Sequence, residues 1–210
     1  MDRRAVSPSL GIYPPPDWPV NQTLLPRSFF QRHPLVCAQE LIGCELVWEN
    51  CSGIIVETEA YASQGDPASH TFSRKSAREF VASNPPGTAY VYFNYGMYWL
   101  FNVLTKCDEA DGFVLIRALE PVSGVDTMRQ RRKKDKLEDL CSGPGKLAQA
   151  LGIVGEHHGC DLCARSKQSF RYPDQPMEAI ADVRIGISRA KEFPWRFLSK
   201  NLRFVSARPS

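Results

Sequence analysis

The sequence predicts an α+β fold, in which helices flank an antiparallel β-sheet. Segments rich in β-branched and aromatic residues cluster in the middle of the chain, and they do not alternate regularly with helices as parallel βαβ units do. The length of 210 residues suits one well-cored domain. Because neither an internal repeat nor a linker divides the chain, we predict a single domain.

The composition is that of an ordinary globular protein, with 43% hydrophobic and 23% charged residues. No apolar run approaches the roughly 20 residues of a membrane span, and the first residues lack the apolar core of a secretory signal. The seven cysteines, an odd number, are typical of reduced thiols inside a cell. We therefore expect an intracellular protein without membrane association.

The N-terminal arm, residues 1–24, is expected to be irregular or disordered, because this end of the chain holds five of the 16 prolines and shows no sustained hydrophobic period. The globular domain then covers residues 25–210. It is expected to begin with a helix in "HPLVCAQELIG", closed by Gly43, followed by strands over 44–48 and from Gly53 onward. The polar residues 62–86 are expected to form a loop.

The middle of the chain predicts a β-hairpin in "TAYVYFNYGMYWLFNVLT", with its turn at Asn94-Tyr95-Gly96. A strand is expected in "GFVLIRALEPV", then a helix through "GVDTMRQRRKK". A further helix in "CSGPGKLAQALGI" would have Ser142 as its N-cap and end at Gly152. Short strands are expected in "ADVRIGIS" and "LRFVS".

Two carboxylates follow one another in the strand "GIIVETEAY". Strand alternation places Ile55, Glu57, Glu59 and Tyr61 on one face, with the two glutamates about 6.5 Å apart. A carboxylate beside apolar groups can be tuned as a general base, and a pair at this spacing also suits an inverting glycoside hydrolase. A solvated sheet face would accommodate both acids equally well, and alternation does not distinguish the two.

The hairpin tip and the next strand carry further candidates. Tyr95 at an exposed tip either folds back onto a neighbouring loop or enters a partner such as a stack of bases, and Tyr92 on the arm offers a flat surface for a base. Arg117 interrupts an apolar strand and needs an anion, which Glu57, Glu59 or a ligand phosphate could supply. Asn102 either satisfies backbone groups or reads a ligand edge.

Basic residues and cysteines give weaker signals. Residues 129–136 hold six bases and one acid, which indicates either a solvated face or a patch that contacts phosphates. "SGPGK" at a helix start offers backbone N–H groups and Lys146 to an anion, without the spacing of a nucleotide P-loop. Cys160 and Cys163 have CxxC spacing beside two histidines, but no second pair accompanies them, so we expect no metal.

Five segments together, "IIVETEAY", "DPASH", "PGTAYVYFNYGMYWLFNV", "VLIRALEP" and "LCSGPGKLAQALGI", resemble the 3-methyladenine DNA glycosylase family of alkyladenine (methylpurine) type. The resemblance runs from about residue 25 to 206. It implies a curved, open-barrel-like antiparallel sheet flanked by helices, with a protruding hairpin. It also implies a monofunctional enzyme of base excision repair that flips a damaged purine out of duplex DNA and hydrolyses its N-glycosidic bond.

The resemblance also implies roles for single residues by their motif positions. Glu59 would deprotonate the attacking water, which Arg117 and the backbone carbonyl of Ile185 would help to hold. Glu57 would be left as a structural partner, for a buried N–H or for Arg117. The base would be stacked and read by Tyr61, His70, Tyr92 and Asn102, the vacated stack would be filled by Tyr95 and Met97, and the DNA backbone would be contacted by Arg129, Ser142, Gly143 and Lys146.

The expected partner is double-stranded DNA containing damaged purines, bound by a monomer without metal or redox cofactor. Alkylated purines (3-methyladenine, 7-methylguanine) are the expected substrates, with hypoxanthine and etheno purines as further candidates. No lysine occupies the pocket motifs, so no Schiff base is expected. The family's Thr-Pro-Arg-Asn-like element is replaced by "SARE" at residues 76–79. Two alternatives remain at this point, a non-catalytic nucleic-acid-binding protein and a carbohydrate hydrolase that uses Glu57 and Glu59.

Overall fold

A computed structural model of the protein describes residues 23–164 and 167–209. The predicted N-terminal arm therefore lies outside the described residues, except for Thr23 and Leu24. Leu24 forms a single bridge with Arg171, and the backbone carbonyl of Thr23 accepts a hydrogen bond from the Tyr172 N–H at 3.0 Å.

One curled antiparallel β-sheet organises the described residues. Its strands run in the order β3-β4-β5-β2-β1-β6, while β8 pairs with β2 and β7 pairs with β8. The long strand β2 is shared, because β1 pairs with its residues 51–54 and β8 with its residues 57–59. The strands are β1 Glu45–Trp48, β2 Cys51–Ala62, β3 Ala89–Asn94, β4 Tyr98–Thr105, β5 Gly112–Ser123, β6 Gln168–Arg171, β7 Ala179–Asp182 and β8 Arg196–Ser199.

Helices pack against this half-barrel, and the main core lies between them and the sheet. Its buried members include Leu41 of the segment after α1, Phe101 of β4 and Leu147 of α6. The α-helices are α1 Pro34–Glu40, α2 His70–Ser73, α3 Lys75–Ser83, α4 Val125–Arg132, α5 Glu138–Cys141 and α6 Pro144–Leu151. The predictions of an α+β single domain and of a curved antiparallel sheet are confirmed; the protrusion of the β3–β4 hairpin stays a prediction.

Several predicted elements are wrong. The expected loop over 62–86 contains α2 and α3, and α3 buries Ala77, Phe80 and Val81 at helical spacing. The apolar stripe of this short amphipathic helix is only three residues long, and the residues on its other face are polar. The segment therefore looks like a polar loop in the sequence. The N-cap of α6 is Gly143 instead of Ser142.

The tail strands are also displaced from their predicted positions. β7 ends at Asp182, directly before the "VRIGIS" pattern, and β8 ends at Ser199, before "LRFVS" begins. The chain turns at Gly186, whose φ of 73° lies in the left-handed region that favours glycine. The apolar alternation of "VRIGIS" therefore belongs to a bent segment beside the site described below.

A β-bulge in β2 changes which side chains share a face. Between Ile55 and Glu57 the pairing advances two residues on β2 and only one on β5, so Val56 is the extra residue. Ile55 accordingly packs in the main core with Ala60, whereas Val56 packs in a small cluster with Phe204. The expectation that Ile55 shares a face with Glu57 is wrong, because strict alternation holds only in a strand without a bulge.

A second irregularity lies next to the first, on β5. Glu57 pairs with Ala118 and the following residue of β2 pairs with Ile116, so Arg117 is skipped in the pairing. Bulges re-aim side chains and are common beside active sites. Here Arg117 and Leu115 face a cavity, while Ile116 is buried in the main core.

Candidate active site

An open cavity of about 640 Å³ lies against the sheet, within the size range of small-molecule sites. Its walls come from β2 to β5, from α2 and from the bent segment after β7. The sequence-predicted residues that line it are Tyr61, His70, Tyr92, Tyr95, Asn102, Arg117 and Ile185. The structure therefore brings together residues that are up to 124 positions apart in the chain. Their location in the cavity wall does not by itself assign any of them a role.

Glu59 is fully buried directly behind the cavity wall. Its Oε1 accepts a hydrogen bond from the backbone N–H of Ile185 at 2.7 Å. Its Oε2 accepts one from the Tyr61 hydroxyl at 2.7 Å and lies 3.2 Å from Nη1 of Arg117. All three partners line the cavity. Since a carboxylate offers about four acceptor positions, one is left for a further donor such as water.

Glu57 is the centre of a different, closed network. Its Oε1 accepts hydrogen bonds from Arg117 Nε at 2.9 Å, Arg196 Nη1 at 3.1 Å and Ser206 Oγ at 2.8 Å. Its Oε2 accepts one from the Ser206 N–H at 2.6 Å. The expected contact between Glu57 and Arg117 is present, and the backbone N–H that Glu57 accepts belongs to the half-buried Ser206. The paired-carboxylate hydrolase loses support, because only Arg117 among the partners of Glu57 lines the cavity, whereas all three partners of Glu59 do.

Arg117 joins the two glutamates and still faces the cavity. Burial lowers the pKa of its guanidinium, but the charges of Glu59 and Glu57 outweigh that effect and the pKa lies above its ordinary value. The predicted need of Arg117 for an anion is therefore met by both glutamates. Because Arg117 stays cationic, it places a positive charge 3.2 Å from Glu59 Oε2 at the cavity wall.

Tyr61 forms one wall of the cavity and is supported from behind. The guanidinium carbon of Arg184 lies 4.7 Å from the centre of the Tyr61 ring. Arg184 in turn makes a two-point ion pair with Asp66, at 2.6 and 2.8 Å, and both side chains are fully buried. Burial raises the pKa of Tyr61, and Glu59 raises it further, so its hydroxyl stays protonated and donates to Glu59.

Sequence reasoning missed Arg184 and Asp66 as members of the site. Both lie inside segments that it singled out, "DPASH" and "VRIGIS". In each segment the sequence shows an ionisable residue next to apolar residues, which could have drawn attention to it. Their pairing across 118 positions has no local signature.

His70 and Tyr92 form an aromatic pair that also lines the cavity, with ring centres 4.5 Å apart. Burial lowers the pKa of His70 to about 4, and nearby Arg74 contributes to the same shift. Its imidazole is therefore neutral at pH 7. Burial also raises the pKa of Tyr92, so both rings present uncharged faces.

Asn102 satisfies a backbone group, as one of its two alternatives expects, while the reading of a ligand edge stays a prediction. Its side chain is buried and lines the cavity, and its Nδ2 donates a hydrogen bond to the backbone carbonyl of Tyr90 at 3.1 Å. This bond uses one of the two amide hydrogens.

The hairpin tip exposes large side chains in a strained turn. Tyr95 is 82% exposed and Met97 is 62% exposed. Tyr95 has a φ of 49°, followed by Gly96 at 66°, and left-handed backbone is costly for a residue with a bulky side chain. The alternative in which Tyr95 folds back onto a neighbouring loop is wrong, because its ring is exposed.

The predicted backbone contacts lie at different distances from the cavity. Ser142 and Gly143 precede Pro144, which lines it, and Lys146 Nζ lies 3.4 Å from Ser142 Oγ. Arg129 lies on α4 and pairs with Asp126 at 2.9 Å.

Other members of the basic segments are also engaged within the chain. Arg132 donates to a backbone carbonyl of α5, Arg196 is buried on Glu57, and Arg203 pairs with Glu138. Several basic residues of these segments therefore make contacts within the protein.

Two further arginines stand at the cavity rim. Arg74 and Arg189 line the cavity and are exposed. Arg74 lies 5.7 Å from the centre of the Tyr92 ring and Arg189 lies 5.8 Å from that of Phe72. Within residues 23–164 and 167–209 neither arginine forms an ion pair. They are therefore positive groups available to an anionic ligand.

The cysteine pair offers no metal centre among its described neighbours. Cys160 and Cys163 are free thiols, and burial raises the pKa of Cys163 to about 11. In the described part of the chain no three His, Cys, Asp or Glu side chains come together as metal ligands. The helices described there are also too short or too polar for any of them to span a membrane.

Residues 28–203 match the methylpurine-DNA glycosylase family. This match covers most of the chain, so the protein belongs to that family, and the resemblance stated from its motifs is confirmed. The protein is thus a DNA glycosylase by family.

Individual relatives agree with this assignment over almost the whole length. A relative from Rhodopseudomonas palustris (strain HaA2) is 45% identical over 206 residues, which cover 98% of each chain. One from Agrobacterium fabrum (strain C58) is 46% identical over 182 residues, covering 87% of this chain and 92% of the relative. One from Granulibacter bethesdensis is 43% identical over 196 residues. Each is provisionally named a 3-methyladenine DNA glycosylase.

Proposed function

We propose that this protein is a monofunctional glycosylase of base excision repair that flips alkylated purines out of duplex DNA and hydrolyses their N-glycosidic bond. The observation that carries the proposal is the placement of Glu59, an ionisable group held by three residues that line a cavity with aromatic walls. That arrangement can hold a planar base in front of a carboxylate.

Glu59 acts as the general base in this proposal. It takes a proton from a water molecule, whose oxygen forms a bond to C1′ of the sugar while the C1′–N bond breaks and its electron pair leaves with the purine. Arg117 and the N–H of Ile185 orient the Glu59 carboxylate, and the carbonyl of Ile185 helps to hold the water. General-base catalysis typically contributes about 10²–10⁴-fold.

The aromatic walls favour cationic purines. A base that enters between Tyr61 and the His70–Tyr92 pair meets electron-rich, uncharged rings, which attract cations through their faces. 3-Methyladenine and 7-methylguanine are cationic as nucleosides, so they also leave as neutral molecules and need little acid catalysis. Hypoxanthine and etheno purines lack that charge and would depend more on the stacking and on Asn102, which disfavours the exocyclic amine of guanine.

The hairpin tip and the rim provide the DNA contacts. Tyr95, with Met97 beside it, fills the gap that the flipped nucleotide leaves, as apolar wedges do in kinked duplexes. Flipping costs a few kcal/mol, and least for damaged bases. Backbone phosphates are met by Arg74 and Arg189 together with the predicted contacts Arg129, Ser142, Gly143 and Lys146.

The same site supports simple hydrolysis. Of the described residues that line the cavity none is a lysine, so an amine that could form a Schiff base and cleave the strand is not at hand. We therefore expect abasic sites with an intact backbone as the product.

The decisive test compares the wild type with Glu59→Gln on duplexes that carry 3-methyladenine, 7-methylguanine, hypoxanthine or ethenoadenine. Glu59→Gln should lose at least about 10²-fold in single-turnover excision and still bind a duplex with an abasic-site analogue. Glu178→Gln, at an exposed carboxylate paired with Lys200, is the matched control and should excise normally. Full activity of Glu59→Gln would refute the mechanism, and binding without any excision by the wild type would favour a non-catalytic protein.

A further inference from the structure

The C-terminal segment, residues 204–208, closes over the network of Glu57. Ser206 donates both its backbone N–H and its hydroxyl to the Glu57 carboxylate, at 2.6 and 2.8 Å. Arg196 donates to the backbone carbonyls of Ala207 at 3.1 Å and Arg208 at 3.4 Å. Phe204 is buried with Val56 and Ala118, the residues beside the two bulges. The segment is thus fixed at several points.

The Ser206 hydroxyl touches two members of the network at once. It donates to Glu57 Oε1 and accepts from Arg117 Nη2 at 3.2 Å. Arg117 therefore has each end of its guanidinium engaged: Nε on Glu57, Nη2 on Ser206 and Nη1 on Glu59. With two of these contacts fixed, the direction of Nη1 toward Glu59 is set.

We propose that Ser206 is a positioning residue for the excision reaction, because it orients Arg117 toward the general base Glu59 from outside the cavity. The inference rests on the proposed function. Ser206 does not line the cavity, so its hydroxyl acts through Arg117 and Glu57. Such supporting contacts hold reacting groups within the narrow tolerance that catalysis needs.

The expected effect is on the rate of the chemical step and not on binding. Ser206→Ala removes the acceptor of Arg117 Nη2 and one donor of Glu57, so Arg117 Nη1 is held less firmly toward Glu59. The maximal single-turnover excision rate should fall about tenfold, which is the rate equivalent of one hydrogen bond. The DNA concentration that gives half of that rate should stay within about twofold, because Ser206 does not line the cavity.

Two conservative variants and one control separate positioning from stability. Ser206→Thr keeps the hydroxyl and should restore the wild-type maximal rate, while Ser206→Cys, with a weaker donor, should lie between Thr and Ala. Ser199→Ala is the control, since the buried Ser199 hydroxyl donates to the Asn201 carbonyl at 2.7 Å and is not among the donors to Glu57 in the described part of the chain. It should lower the melting temperature without changing the maximal rate, and duplex binding should stay within about twofold in every variant.

The outcomes distinguish this inference from the function on which it rests. If the wild type excises bases, Glu59→Gln does not, and the maximal rates of Ser206→Ala and Ser206→Cys match the wild type, the positioning role is refuted alone. If Ser206→Ala does not fold, the Thr and Cys variants decide: a lowered maximal rate for Cys and a wild-type rate for Thr support the role, and identical rates overturn it. An inactive wild type or a fully active Glu59→Gln removes the proposed function itself.

Discussion

Replacing Tyr95 by glycine should weaken DNA binding without weakening the fold. The ring is 82% exposed, so its removal gives up little buried surface. The backbone at Tyr95 has a φ of 49°, and a left-handed conformation costs an L-residue about 1–2 kcal/mol, which glycine does not incur. Glycine in turn loses about 0.5–1 kcal/mol more conformational entropy on folding. The net change in the free energy of unfolding should lie between about zero and a gain of about 1.5 kcal/mol.

The loss in DNA binding should be much larger. Stacking of an aromatic side chain on a base is worth about 1–3 kcal/mol, which corresponds to roughly 5–150-fold in the dissociation constant. Urea unfolding measures the first quantity, and fluorescence anisotropy with a duplex that carries an abasic-site analogue measures the second. Tyr95→Ala is the comparison, because it removes the ring and keeps the left-handed backbone.

The reasoning about Tyr95 has a clear point of failure. Both variants should bind weakly, and Tyr95→Gly should be the more stable of the two. If Tyr95→Gly loses more than about 1 kcal/mol of stability, the ring packs into the fold. If it binds as tightly as the wild type, Tyr95 is not the wedge.

Three further predictions concern the site walls and rim. The low pKa of His70, about 4, means that the unfolded chain takes up a proton near pH 6.5 while the folded protein does not. The stability that His70 contributes should therefore be complete above about pH 6.5 and be lost as the pH falls toward 4. In urea unfolding, the free energy of unfolding of His70→Gln should depend less on pH over that window than that of the wild type. Parallel plots of this free energy against pH for the two proteins would contradict a neutral buried imidazole. Asp66→Asn leaves the buried charge of Arg184 uncompensated and should lower the free energy of unfolding by about 3–5 kcal/mol. The control Lys200→Ala, in an exposed pair, should lower it by less than about 1 kcal/mol. Equal losses of the two variants in urea unfolding would contradict a buried pair. Substitution of Arg74 or of Arg189 by alanine should remove one phosphate contact. In a plot of the logarithm of the DNA-binding constant against the logarithm of the salt concentration, the slope should then become smaller by about one. An unchanged slope would exclude a phosphate contact at that residue.

The fold class could be predicted from the sequence because its signals are local. The hairpin and the strand "GFVLIRALEPV" show β-branched and aromatic patterns over many residues, and both are present in the structure. Helix α3 has the same kind of signal in a weaker form, three apolar residues among polar ones. The bulges in β2 and β5 have no such pattern, since they depend on how two strands pair.

Site residues could be predicted from the sequence where the residue type is unusual for its position in a strand or turn. They could not be predicted where the role of a residue depends on partners far away in the sequence. Glu57 and Glu59 looked equivalent by alternation. What separates them is that Glu57 meets Arg196 and Ser206, which lie 139 and 149 positions away, while Glu59 meets Ile185 at the cavity wall. Such long-range contacts are decided only when the whole chain folds.

The order in which the chain is made has a consequence for strand β2. Its second half, with both glutamates, pairs with β8, which begins at Arg196 of 210 residues. A nascent chain synthesised as far as β6 can already contain the hairpin, the aromatic walls and Arg117, but it lacks the strand and the terminal residues that anchor Glu57. Most of the proposed DNA contacts, though not Arg189, are therefore synthesised before the residues that anchor Glu57. The proposed excision of a base should accordingly require synthesis beyond β8.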